Sequence, residues 1–167
     1  MEFYSYVVDW DELRDVQLSS LKSSVANCEI QTDHAIFASL WRMALKNGDR
    51  FILTGSNFVT EALMQYSWGH YHQDLKHMKA IHRRFSSKPL RTTPTIIFVQ
   101  YLYYVFVKGI RQIPLINYIE YNKVEAKKRL KEEIGWRDYG DKHYESIWTR
   151  FFQGYYLPNK FGFDKRK

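Results

Sequence analysis

The 167 residues fit one domain able to bury a sizeable core, and 45% hydrophobic with 26% charged residues is ordinary for a globular protein. The single cysteine, Cys28, excludes an intrachain disulfide and a multi-cysteine zinc site, so a reduced, cytoplasmic setting is the expectation. The net charge of +7 favours phosphate-bearing partners wherever it is concentrated.

Residues 1–8 lack the basic start and long apolar run of a signal peptide. Residues 3–8 are β-prone and apolar, so a strand is predicted there. It leads into Asp9-Trp10-Asp11-Glu12, where Asp9 and Glu12 have capping-box spacing. The helix that follows places Leu13, Val16, Gln17, Leu21 and Val25 near one face. A second helix is predicted from Thr32 or Asp33, with Ile36, Phe37, Leu40, Met43 and Ala44 inward and a stop at Gly48. A short strand over residues 50–53 comes next. Strand, helix, helix, strand without a hairpin signal predicts a parallel sheet covered by helices. A buried parallel strand as the first element predicts further sequence upstream.

Residues 74–85 have helical period, with Leu75, Met78, Ile81 and Phe85 on one side. Between Lys76 and Arg91 stand six basic residues (Lys76, Lys79, Arg83, Arg84, Lys88 and Arg91) and no acidic one, a pattern that fits either phosphate binding or a solvated helix face. The apolar stretch at residues 96–107 contains Gln100 and is too short to span a bilayer, which leaves a buried or interfacial helix. Aromatic residues reach 17%, fitting a tyrosine-rich core or grooves and subunit contacts. Asn122 with Glu125 opens a helix to Gly135, and the tail has a short helical stretch around residues 144–152.

Ligands of open parallel sheets bind beyond the carboxyl ends of the strands. That rule singles out Asp9 and the turn Thr54-Gly55-Ser56-Asn57, with Glu61 further on, as candidate nucleotide contacts. Gly55 lets the backbone approach a ligand, and its neighbours offer short donors and acceptors; a Gly-Ser-Asn turn is also common punctuation. Asp33-His34 reads as an anion contact or proton carrier, or as a cap beside a core histidine. His70, His72 and His77 lack a carboxylate or cysteine partner at ligand spacing, so no metal site is expected among them. No Walker A loop, Rossmann glycine fingerprint or Gly-x-Ser-x-Gly elbow occurs. In the tail, Lys142, His143, Glu145 and Arg150 form a mixed charged cluster beside glycines, the type that holds a pyrophosphate. The other reading is a polar wrap whose charges pair among themselves.

Several stretches, in order along nearly the whole chain, resemble the N-acetyl sugar amidotransferases, ATP-pyrophosphatase (PP-loop) enzymes of bacterial lipopolysaccharide and flagellar sugar pathways. They are Tyr6-Val-Val-Asp-Trp-Asp-Glu-Leu-Arg-Asp15, Asp33-His-Ala-Ile-Phe-Ala38, Ile52-Leu-Thr-Gly-Ser-Asn57, Trp68-Gly-His70, Lys79-Ala-Ile-His82, Asn117-Tyr-Ile119, Gly135-Trp136, Lys142-His-Tyr-Glu-Ser146, Phe151-Phe-Gln-Gly-Tyr-Tyr-Leu-Pro158 and Lys160-Phe-Gly162. The resemblance implies a partial Rossmann-like, adenine nucleotide alpha hydrolase-like α/β fold: a parallel sheet with flanking helices and a mostly helical C-terminal part. It implies that ATP with Mg²⁺ adenylylates the amide oxygen of an N-acetylated sugar nucleotide. Ammonia from a glutaminase and its synthase-like partner then displaces AMP and leaves an acetamidino group.

The expected layout is one partial domain: residues 1–66 a nucleotide-binding part, 67–121 a basic and aromatic helical insertion, and 122–167 the C-terminal part of the site. Catalytic candidates are Lys142, His143, Glu145 and Arg150; substrate-binding candidates are Asp33, His34, Gln153, Lys160 and Arg166. The family's Ser-Gly-Gly-x-Asp-Ser loop does not occur, so the chain is expected to start downstream of it and not to catalyse alone. A tRNA-modifying PP-loop ATPase and a non-catalytic interaction protein are the competing expectations, although no RNA-binding module is recognisable. No membrane span and no nucleic-acid partner are expected.

Overall fold

A computed structural model describes residues 3–57, 71, 73–138, 140 and 146–164. The chain divides into two compact units, one of Met1–Ile52 with Gln65–Ile113, the other of Leu53–Met64 with Pro114–Lys167. The architecture is mixed α/β but mostly helical, and the described sheet is a two-stranded parallel pair.

The expected opening strand does not form. Residues 3–9 run without strand pairing, with Phe3 and Val7 92% and 86% exposed. Strand preference is realised only where a neighbouring strand provides cross-strand pairs, and none lies beside this segment among the described residues. The Tyr6 hydroxyl ties it to the first unit by donating to the Thr92 carbonyl at 3.2 Å.

Helix α1, Trp10–Lys22, starts where Asp9 caps it: the Asp9 carboxylate accepts from the Glu12 N–H at 3.0 Å. The capping box is half formed, because Glu12 does not reach back. Its carboxylate accepts instead from the N–H groups of Arg91, Thr92 and Thr93 at 2.8–3.1 Å, and from the Thr92 hydroxyl at 3.0 Å. One turn on, Asp15 accepts from the hydroxyls of Ser86 and Ser87 and from the backbone N–H of Ser87 and Lys88. Asp11 pairs with Lys88 at 3.1 Å. Three carboxylates at i, i+1 and i+4 thus fasten residues 86–93 along one helix.

Burial pushes the Glu12 carboxyl up, and the backbone donors of Thr92, Thr93 and Arg91 outweigh it, bringing the pKa from 4.5 to about 2. Asp15 behaves alike: burial raises it, the serine hydroxyls and backbone donors lower it further, and it settles at about 2.

Helix α2, Ile30–Asn47, ends as its glycine requires. Gly48 takes φ of 76° and donates to the Leu45 carbonyl, while the Asp49 N–H reaches Ala44. The buried face keeps Phe37 and Ala44 of the expected set and replaces Ile36 and Leu40 by Ala38 and Trp41. Phe37, Ala38, Trp41 and Ala44 point into the core with Ile52, Ile96, Tyr104 and Ile110, whereas Ile36 and Leu40 are 56% and 45% exposed. The indole decides the rotation: Trp41 meets Tyr101 edge-on at 5.0 Å and stacks on Tyr104 at 6.3 Å. Ile36, Leu40 and Met43 instead line a cavity of about 370 Å³ with Tyr4, Tyr6 and Leu13.

Strand β1, Phe51–Thr54, pairs with β2, Arg111–Pro114, beginning where the Arg111 N–H donates to the Arg50 carbonyl at 2.8 Å. Helix α3, Leu75–Phe85, is capped by Asp74 and buries Leu75, Met78 and Ile81, the first two packing with Val16 and Ile30. The aromatic stretch forms α4, Phe98–Leu102, and a π-type turn, Tyr103–Val107, closed by the Lys108 N–H on the Tyr103 carbonyl.

In the second unit, Asn122 caps helix α5, Lys123–Ile134, through the N–H groups of Val124 and Glu125, and Gly135 ends it at φ 66°. Ser146 caps a helical run of α6, Ile147–Phe151, a π-type turn, Phe152–Tyr156, and α7, Leu157–Phe161. Ring contacts follow this run, with Trp148 stacked on Phe152 at 6.3 Å and Phe152 on Tyr156 at 5.8 Å.

Candidate functional site

The turn after β1 is the most informative of the expected site positions. The Thr54 and Ser56 hydroxyls lie 2.8 Å apart in hydrogen-bond contact, and Asn57 is buried. Gly55 is not among the glycines at positive φ, and among the described residues a Cβ built on it would meet only Ile116 Cδ1 at 4.0 Å. Neither the turn nor the packing therefore demands glycine there, in contrast to Gly48 and Gly135.

The remaining candidates are distributed as follows. Asp9 is exposed, with one carboxylate oxygen engaged in the α1 cap. Asp33 is exposed and lies inside α2 rather than capping it, since the helix begins at Ile30 after Glu29. His34 is fully buried, and its Nε2 accepts from the Ile96 N–H at 3.2 Å, which fixes the start of the segment leading to α4. That is the position of a core histidine.

Arg150 is exposed on α6, and Gln153 is buried on the turn that follows. Lys160 is exposed, with its ammonium 5.1 Å from the Tyr156 ring centre and 3.1 Å from that residue's hydroxyl. Thr54, Gly55, Ser56, Asn57, Arg150, Gln153 and Lys160 belong to one unit, and Asp9, Asp33 and His34 to the other. Glu61, Lys142, His143, Glu145 and Arg166 lie outside the described residues.

The basic row between Lys76 and Arg91 is divided by the fold. Lys88 pairs with Asp11, the Arg91 N–H is held by Glu12, and Arg84 sits over the Phe85 ring at 5.6 Å. Lys76, Lys79 and Arg83 line a groove of about 520 Å³ with Ile97 and Phe98. The sequence signals the cations of this groove by their i, i+3, i+7 spacing. It carries no signal for the aromatic wall, which comes from a separate helix.

Comparison with protein-family models, with curated proteins and with solved structures finds no match to the chain.

Proposed function

We propose that the chain is part of an ATP-dependent N-acetyl sugar amidotransferase of partial Rossmann-like fold. The enzyme adenylylates the amide of an N-acetylated sugar nucleotide and uses ammonia to form an acetamidino group, in the cytoplasmic synthesis of surface-polysaccharide or flagellin sugars. The observation that carries this reading is the ordered resemblance from Tyr6 to Gly162. The geometry supports it at Gly55: a glycine required by neither the backbone nor the packing of the described residues, at the carboxyl end of a parallel strand, suits close approach of a nucleotide.

In this reading the amide oxygen attacks the α-phosphorus of ATP and pyrophosphate departs. Ammonia then adds to the activated carbon, and AMP leaves with the former amide oxygen. Thr54 and Ser56 offer hydroxyls to the nucleotide, and Arg150 and Lys160 offer positive charge to the phosphates or the sugar nucleotide. Mg²⁺ fits as a companion of the nucleotide, since it is held largely by phosphates and water rather than by an all-protein cage.

Gly55→Ala tests the assignment. In the enzyme carrying this chain, the melting temperature is expected to stay within a few degrees, because the added methyl has room. The KM for ATP is expected to rise about tenfold or more, as the methyl blocks the approach. Ser56→Ala should weaken ATP use in the same direction. Unchanged ATP kinetics in both variants would remove the turn from the site.

A further inference from the structure

We propose that the first unit docks on an anionic membrane surface through the exposed ridge of α4 and its π-type turn, with the α3 cations seated on the headgroups. The ridge is built from two Phe-Val pairs: Phe98 and Val99 are 72% and 69% exposed, Phe106 and Val107 78% and 68%. In an unbroken α-helix, residues eight apart would diverge by about 80° around the axis. One α turn followed by one i→i+5 turn brings them back to a common face, and the Lys108 N–H to Tyr103 carbonyl bond closes that wider turn. The opposite face is the core side, where Tyr104 is buried and Tyr101 and Val105 pack. The π-type turn thus aligns four large apolar side chains outward while the same helix keeps its aromatic core face.

Charge identifies the occupant. Phe98, at one end of the ridge, shares the 520 Å³ groove with Lys76, Lys79 and Arg83 and with one carboxylate, that of Asp74, which caps α3; the three cations have no carboxylate partner within 4.0 Å among the described residues. No Asp or Glu occurs between Asp74 and Glu120, while eight Lys and Arg residues do. A second copy packing ridge to ridge would bring these like charges face to face. A single-stranded nucleic acid would use the cations but leave most of the apolar ridge in water. An anionic bilayer uses both, with phenylalanine and valine in the headgroup–acyl boundary and lysine and arginine on the phosphates. The proposal concerns surface docking, for no helix among the described residues is long and apolar enough to cross a membrane.

The test is co-sedimentation of the chain with vesicles of phosphatidylglycerol and phosphatidylcholine, beside vesicles of phosphatidylcholine alone. Binding is expected to the anionic vesicles, at least tenfold weaker to the neutral ones, and to weaken as salt rises. F98D/F106D and K76E/K79E/R83E should each reduce binding tenfold or more with the melting temperature retained; F98S/F106S replaces the first if it melts early. Equal binding to both vesicle types, no binding, or wild-type binding by either variant set overturns the proposal. So does binding to single-stranded RNA without binding to vesicles, or a lipid-free dimer that F106D dissociates.

Discussion

Replacing Glu12 by alanine is expected to lower the free energy of unfolding by about 3 kcal/mol near neutral pH, because three backbone N–H groups at residues 91–93 lose their charged acceptor. The same clamp sets the acid limb of stability. A carboxyl whose folded pKa is depressed contributes stability that is complete above its unfolded pKa and is lost as pH falls through the folded one. For Glu12 that window runs from 4.5 down to about 2, and for Asp15 from 3.8 down to about 2. For Glu12 a shift of that size is worth about 3 kcal/mol. Urea unfolding of wild type should therefore weaken steeply between those limits, whereas E12Q/D15N starts lower at neutral pH and loses much less. Parallel acid limbs in the two proteins would show that the clamp does not carry this dependence.

Trp41→Ala is expected to cost about 4 kcal/mol, since it empties a fully buried site packed by Phe37, Tyr101 and Tyr104. Ile36→Ala, five residues earlier on the same helix, is expected to cost under about 1 kcal/mol because the side chain is more than half exposed. Thermal or urea melts of the two variants separate the observed core face from the one that apolar spacing suggests. Equal losses would place both residues in the core and contradict the rotation.

This pair also shows what the sequence makes legible. Helix existence and ends are local properties: Asp74 and Asn122 as caps, and Gly48 and Gly135 as left-handed stops, can be read from neighbouring residues alone. The phase of α2 is only partly local: spacing puts Phe37 and Ala44 inward, but it puts Ile36, Leu40 and Met43 inward beside them and leaves out Trp41. Only Tyr101 and Tyr104, about sixty residues away, select Trp41. Residues 3–8 mislead for a related reason, since β-branched and aromatic side chains favour a strand only beside another strand. Glu12 has capping-box spacing, yet its partners lie 79–81 residues away and win the carboxylate. In the candidate site, the strand-end turn was legible from the pattern of elements. The freedom around Gly55 was not, because it depends on what surrounds a Cβ that the residue lacks.

The proposed function is tested most directly by following AMP release from ATP in the protein that contains this chain. Stoichiometric AMP and acetamidino product are expected when an N-acetylated sugar nucleotide and ammonia are both present, and little AMP when either is omitted. AMP release that responds to tRNA and not to the sugar nucleotide would contradict it.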